Sequence, residues 1–123
     1  MKKTSKRKLI KKIDKVFSEI VRSRGSCERC GKRENLQCAH IFSRRIMRLR
    51  WYLDNALCLD YKCHIFWAHR NPIEFTRFVE NKLGKEKFEN LERMSIEIVH
   101  YKIDDLEKIY IDLKNYTKPK LEI

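Results

Sequence analysis

The sequence has no long apolar run. No segment approaches the ~18 consecutive apolar residues of a membrane-spanning helix, and the charged start of the chain leads into no apolar signal core. We therefore expect a cytoplasmic protein with no membrane partner. The chain also lacks internal repeats and low-complexity tracts, and its 123 residues are close to the commonest domain length. A single domain over residues 1–123 is the prediction.

Negative charge is scarce relative to positive charge. Lys and Arg number 29 against 17 Asp and Glu, which gives a formal net charge of +12. A surplus of this size on a small chain favours a polyanionic partner, and nucleic acid is the usual one. The alternative is a lysine-rich surface that only keeps the protein in solution. Charge alone does not separate DNA from RNA.

The cysteine count argues against a disulfide framework. Five cysteines are an odd number, and no export signal precedes them, so metal ligation is the better use for them. Cys27 and Cys30 form a Cys-x2-Cys pair followed by Gly31. Thiolates at this spacing can bind one tetrahedral Zn²⁺ together, so we expect a structural zinc ion.

Apolar periodicity and the few Gly and Pro residues outline the secondary structure. Apolar residues at three- and four-residue spacing predict an amphipathic helix over about 6–23. Short apolar runs between polar turns then predict a small hairpin with loops, up to about residue 61. A short helix is expected over 63–69. It ends before Pro72, because the residue before a proline avoids helical geometry.

The C-terminal part is predicted to be helical throughout. Pro72 opens a helix over 73–83, which Gly84 closes. No Pro or Gly occurs over 85–116, and the helical apolar period there predicts one long helix, with Asp104 and Asp105 marking the place for a kink. Its apolar stripe is expected to pack on the first helix rather than form a dimer seam. A monomer and a homodimer both stay open.

Two histidines have the properties that phosphodiester hydrolysis requires. The reaction needs a base for the attacking water, an electrophile for the charge on the transition state, and help for the leaving oxygen. His40 lies at the end of a predicted strand, where a backbone carbonyl could fix its tautomer, and its ordinary pKa near ~6.5 suits a base. His64 lies early in a predicted helix and could hold a catalytic ion.

The order of these motifs resembles the HNH endonucleases, the His-Me finger or ββα-metal nucleases. The resemblance covers 27–69 and comprises the cysteine knuckle, His40 on an apolar run, Asn55, and the adjacent Cys63 and His64. It implies that His40 is the general base and that Asn55 pins the loop carrying it. His64 would ligate a catalytic Mg²⁺, Mn²⁺ or Ni²⁺. The segment 66–75 is also similar to phage-type HNH nucleases, including the NinG-like branch.

The fold that this resemblance implies is α+β. It is a ββα-metal finger with a treble-clef-like zinc site, flanked by an N-terminal helix over about 6–23 and a long C-terminal helix over about 85–116. Cys27, Cys30 and Cys63 would be three of the zinc ligands. Cys58 or Asp60 would be the fourth, since both point the same way on an extended strand. The softer donor favours Cys58, whereas the family register favours Asp60.

The chain departs from the family pattern at the residue before the base. Many HNH sequences have an acidic residue or a second histidine there, whereas this chain has Ala39. A water, the DNA phosphate or His69 would then have to complete the ligands of the catalytic ion. Residues five apart do not share a face of an α-helix. The alternative to a metal ligand is therefore that His69 is a histidine at the helix end that contacts only solvent or phosphate.

A group of arginines between His40 and Asn55 is the expected DNA contact. Arginine forms bidentate contacts with phosphate, and the alternative is a solvated basic loop. The group comprises Arg44, Arg45, Arg48 and Arg50. The sequence thus predicts a metal-dependent HNH endonuclease that nicks or cleaves duplex or branched DNA. The alternatives are a catalytically impaired, zinc-stapled DNA-binding module, which Ala39 makes plausible, and a protein-interaction domain.

Overall fold

The computed structural model describes residues 2–117, with side chains described for 5–116. It combines α-helices with a two-stranded antiparallel sheet. No helix of the described part is long and apolar enough to cross a membrane. In chain order the main elements are α1 (Lys2–Arg22), β1 (Leu36–His40), α2 (Met47–Arg50), β2 (Ala56–Asp60), a π-helix (Lys62–Ala68), α3 (Pro72–Leu83), α4 (Lys85–Ser95) and α5 (Ile103–Thr117).

The two strands form the centre of the molecule. Their register pairs Leu36 with Asp60 and His40 with Ala56, which places His40 and Asp60 at opposite ends of the hairpin. All five residues of β2 are buried, because helices cover the sheet on both faces. This explains why β2 reads as an apolar run rather than as an alternating strand.

Helix α1 covers one face of the hairpin. Its apolar stripe includes Ile13, Phe17 and Val21, all at most 1% exposed, which pack with Leu106 and Leu113 of α5. Complete burial of an aliphatic or aromatic side chain stabilises a fold by about 1.5–3 kcal/mol. The expectation that the C-terminal apolar stripe packs on the first helix is therefore met by α5.

The single long C-terminal helix is a wrong prediction. The structure has α4 and α5, separated by residues 96–102. β-Branched residues, including Ile96 and Ile98, lie in the break, where their restricted side chains disfavour a helix. A new helix then begins, because the Asp105 carboxylate accepts a bond from the Lys102 backbone N–H at 2.9 Å and so caps its first turn.

Helices α3 and α4 cover the rest of the core. Helix α3 has the predicted bounds within one residue and ends at Gly84, whose φ of +88° lies in the region that favours glycine. Helix α4 packs beside α2, where Leu91 and Met94 surround Leu49. These contacts hold the loop between β1 and β2 against the body of the protein.

Candidate metal centre and histidine cleft

Three cysteines and one aspartate meet at one end of the hairpin. The ligand atoms of Cys27, Cys30, Asp60 and Cys63 all lie within 4.8 Å of one another. The Sγ atoms of Cys27 and Cys30 are each 3.7 Å from a carboxylate oxygen of Asp60. Zn–S bonds near 2.3 Å and Zn–O bonds near 2.1 Å in a tetrahedron would separate sulfur from oxygen by about 3.6 Å. The cluster could therefore hold a metal ion such as zinc.

Hydrogen bonds of its own backbone hold the cysteine knuckle (27–31) in a turn. The Gly31 N–H bonds to the Cys27 carbonyl at 2.9 Å, and Gly31 adopts a φ of +84° that closes the turn. The Cys30 N–H points at the Cys27 sulfur, 3.5 Å away. Burial alone would raise the pKa of Cys27, but the backbone N–H groups around its sulfur lower it. This end of the cluster thus favours the thiolate that a metal requires.

Asp60 would supply the oxygen ligand, and it also begins the next element. Its Oδ1 accepts the Cys63 backbone N–H at 2.9 Å, as an N-cap residue does. Burial alone would raise the pKa of Asp60, but this bond and those from the neighbouring thiols lower it, so the group is a carboxylate. The same hydrogen bond therefore fixes the positions of two of the four residues of the cluster.

The sequence-based preference for Cys58 over Asp60 is corrected by this geometry. Cys58 lies in the middle of β2, opposite Cys38, and packs into the apolar cluster under α1. Burial raises the pKa of Cys58 and raises that of Cys38 to about 11, so both behave as neutral core residues. Asp60 differs because the strand ends there and the chain turns into the π-helix.

Cys63, the fourth residue of the cluster, lies beside the Asp60 carboxylate and the other two thiols. Burial raises its pKa to about 12, and the nearby Asp60 and Cys27 add to the effect. Arg29 partly offsets this, since its Nη1 donates to the Cys63 sulfur at 3.5 Å. A divalent cation would stabilise this set of three thiols and a carboxylate, of which only Cys30 is exposed, because metal binding releases the thiol protons.

Glu28 joins the knuckle to β2 and was missed by the sequence analysis. Its carboxylate accepts the Cys58 backbone N–H at 2.7 Å and forms an ion pair with Arg24 at 2.7 Å. Its own N–H donates to the Cys58 carbonyl at 2.8 Å. The knuckle is therefore attached to the strand that carries Asp60, although nothing in the local pattern distinguishes this glutamate.

His40 lies at the other end of the hairpin, on the last residue of β1. Its Nε2 donates a hydrogen bond to the backbone carbonyl of Arg50 at 3.0 Å, since a carbonyl can only accept. The proton is thereby placed on Nε2, and Nδ1 keeps its lone pair. Burial lowers the pKa of His40, and its ring stacks on Phe17 at 5.6 Å with 26° between the planes. The neutral form is therefore favoured.

His64 and His69 come together because the helix between them is wide. The His69 N–H donates to the His64 carbonyl at 3.2 Å, an i to i+5 bond. The rings consequently lie on one face, with centroids 4.6 Å apart and an edge-to-face arrangement. In the α-helix predicted from the sequence, two residues five positions apart would have lain on different faces. Burial and the neighbouring His69 lower the pKa of His64.

Gln37 on β1 orients His64, another contact that the sequence analysis did not anticipate. The Gln37 side-chain oxygen accepts from Nδ1 of His64 at 2.8 Å. The Nε2 atom of His64 is then available as a ligand, and metal-binding histidines commonly have such a second partner.

Three of the four histidines line one open cleft. It has a volume of about 620 Å³, and α1, β1 and the π-helix contribute to its walls. Its polar lining includes His40, His64, His69, Gln37, Arg22 and Arg44. Three imidazoles thus share one open space with two guanidinium groups and the Asp14 carboxylate.

Asn55 lies behind the cleft and fixes the loop that follows His40. It is fully buried, and its Oδ1 accepts the Phe42 N–H at 2.8 Å. Its Nδ2 donates to the carbonyls of Phe42 and Leu49, both at 3.1 Å. The side chain therefore ties the start of the loop to α2, which is a pinning contact of the kind that the resemblance implies.

The four loop arginines have different environments. Arg44 and Arg45 are exposed, whereas Arg48 pairs with Glu97 at 2.6 Å. Arg50 is 15% exposed and pairs with Asp14 at 2.7 Å. Arg50 therefore has a partner inside the protein, and its contact with DNA stays a prediction.

Comparison of the chain with family models, curated proteins and solved structures finds no match.

Proposed function

We propose that this protein is a metal-dependent endonuclease of the HNH type that hydrolyses DNA phosphodiester bonds. One observation carries the proposal: His40 and His64 line the same cleft, and each has one ring nitrogen bonded to the protein and the other left available. In this proposal β1, β2 and the π-helix form the ββα-metal finger. The Cys27, Cys30, Asp60 and Cys63 cluster is its treble-clef-like structural zinc site.

His40 acts as the general base. Its Nδ1 accepts a proton from the attacking water, while the bond from Nε2 to the Arg50 carbonyl stabilises the imidazolium that forms. Burial lowers the pKa of His40, which keeps the ring neutral and able to accept the proton at cellular pH. A positioned base of this kind contributes about 10²–10⁴-fold to a rate.

The ligands of the catalytic ion are Nε2 of His64 and a nitrogen of His69. A divalent ion there would withdraw charge from the scissile phosphate and assist the leaving oxygen. Two imidazoles without a carboxylate suit Ni²⁺ best and Mn²⁺ better than Mg²⁺, because affinity for such a site rises from Mn²⁺ to Ni²⁺ and Mg²⁺ prefers oxygen ligands. Ala39 supplies no metal ligand, because its side chain is a methyl group. It is 1% exposed and packs in the apolar cluster on the opposite face of β1.

DNA reaches the cleft through its basic walls. Arg22 and Arg44 line it on two sides, and exposed Arg45 lies beside Arg44. Guanidinium groups bind phosphate oxygens through paired hydrogen bonds, and the net charge of +12 attracts the duplex from a distance. The scissile strand would therefore pass between α1 and the loop after β1.

A second candidate function is a zinc-stapled DNA-binding module without catalysis. The observation in its favour is Ala39, which leaves the proposed ion without the acidic or second histidine ligand found in many HNH sequences. Such a module would have the same basic cleft and would bind DNA with a strong salt dependence.

Conversion of supercoiled plasmid to nicked and linear forms separates the two functions. Zinc-loaded protein is supplied with Mg²⁺, Mn²⁺ or Ni²⁺, and wild type is compared with His40→Ala and with His100→Ala, an exposed histidine outside the cleft. The nuclease proposal predicts ion-dependent cleavage that His40→Ala abolishes and His100→Ala leaves intact. Salt-dependent DNA binding without cleavage in any ion would instead establish the binding module.

A further inference from the structure

The carboxylate of Asp14, on α1, accepts three hydrogen bonds from Arg50 and Trp51 at the end of α2. Asp14 accepts from Nε of Arg50 at 3.0 Å and from Nη2 of Arg50 at 2.7 Å, one bond on each oxygen. It also accepts from Nε1 of Trp51 at 2.8 Å. Burial alone would raise the pKa of Asp14, but these bonds and the Arg50 charge lower it, so the group is ionised.

The two donors flank the peptide group that holds the proposed base. The carbonyl that accepts from His40 Nε2 belongs to Arg50, and therefore to the peptide bond between Arg50 and Trp51. Asp14 holds the side chains on both sides of that peptide. Arg50 adds a further bond from Nη1 to the Arg44 carbonyl at 3.2 Å, so its guanidinium also closes the loop on itself.

The same turn of α1 contacts His40 directly. Phe17, three residues after Asp14, stacks on the imidazole ring. The N-terminal helix thus touches His40 on its face through Phe17 and holds its hydrogen-bond acceptor through Asp14. Arg50 and Trp51 occupy three of the roughly four lone-pair sites of the Asp14 carboxylate, so its oxygens are mainly engaged with these two residues although Asp14 lines the cleft.

We propose that Asp14 is a positioning residue for His40, which fixes the imidazole as the Nε2–H tautomer by holding the Arg50 carbonyl in place. The two neutral tautomers of a free imidazole differ little in energy, so the fixed acceptor decides which nitrogen carries the proton. Displacement of that carbonyl lets the Nδ1–H form appear, and this form cannot accept a proton from water at Nδ1. The catalytic consequence rests on the proposed function, whereas the tautomer itself does not.

The test is a nitrogen-15 NMR measurement of the His40 tautomer in zinc-loaded protein at a pH where the ring is neutral. The His40→Ala spectrum assigns the signal. Asp14→Asn removes the ionic fork to Arg50, and Glu19→Gln on an exposed position of α1 is a control with the same change in net charge. We expect one Nε2–H tautomer in wild type and in Glu19→Gln, and a mixture of tautomers in Asp14→Asn.

Cleavage provides the second readout. Asp14→Asn should lower the single-turnover rate by about tenfold, a part of the ~10²–10⁴-fold that a general base contributes, with DNA affinity within about twofold of Glu19→Gln. If circular dichroism finds Asp14→Asn unfolded, Arg50→Lys replaces it, since it retains the charge and loses the fork. An unchanged Nε2–H tautomer in the folded variant overturns the proposal. A tautomer mixture with a wild type that never cleaves supports the positioning role and rejects the nuclease.

Discussion

Removal of the Asn55 side chain should destabilise the whole domain. Asn55→Ala deletes three hydrogen bonds and leaves the Phe42 N–H, the Phe42 carbonyl and the Leu49 carbonyl without that partner. A typical bond contributes about 0.5–1.5 kcal/mol, and a buried polar group left unpaired costs about 1–3 kcal/mol. Because these contributions overlap, we expect a loss of roughly 3–5 kcal/mol. The total stability of a domain is only about 5–15 kcal/mol.

Thermal unfolding followed by circular dichroism measures this loss. At about 4 °C per kcal/mol for a chain of this size, the Tm should fall by roughly 12–20 °C. Asn81→Ala, on an exposed position of α3, is the matched control and should stay within about 2 °C of wild type. Asn55→Asp keeps the acceptor but turns a carboxylate toward two carbonyls, so it should be at least as destabilising. An Asn55→Ala melting temperature equal to that of the control would refute this reasoning.

Three further predictions concern the metal centre, the ion pair on α1 and the basic cleft. Asp60→Ala should lower the zinc content measured by atomic absorption, whereas Cys58→Ala should retain it, because only Asp60 lies in the cluster; equal losses would contradict this assignment. Because folding lowers the pKa of Asp14, its carboxylate stabilises the folded protein at pH values above the ordinary pKa of 3.8. This stabilisation is lost as the pH falls through the lower pKa of the folded state. Urea unfolding between pH 5 and pH 3 should therefore show a smaller acid loss for Asp14→Asn than for wild type. Arg44→Ala should reduce the salt slope of DNA binding by about one ion, while Arg48→Ala, which is already paired with Glu97, should change it less.

Local sequence patterns predicted much of the fold. Apolar periodicity located α1 and α3 to within a few residues, because a buried stripe on a helix repeats in the sequence. Three of the four residues of the cluster were also predicted, because the Cys-x2-Cys spacing indicated Cys27 and Cys30 and the family resemblance implied Cys63. His40 was correctly placed at the end of a strand.

Other features depend on geometry that no local pattern records. Cys58 and Asp60 share one face of an ideal strand, and only the turn of the chain after Asp60 separates them. His69 joins His64 because the intervening helix is a π-helix, whereas the sequence argument used the α-helical period. The bond from Asp14 to Arg50 spans 36 positions, so an arginine that looked free for DNA is an internal partner.

The most direct test of this account is a Mn²⁺ titration of plasmid nicking by zinc-loaded protein, with zinc content measured in parallel for wild type and His64→Ala. The account assigns zinc to the cysteine–aspartate cluster and a separate, exchangeable ion to the histidines. It predicts that nicking by wild type rises with Mn²⁺ at constant zinc content, and that His64→Ala keeps its zinc but does not nick. Nicking by His64→Ala at the wild-type rate, or no nicking by wild type at any Mn²⁺ concentration, would contradict it.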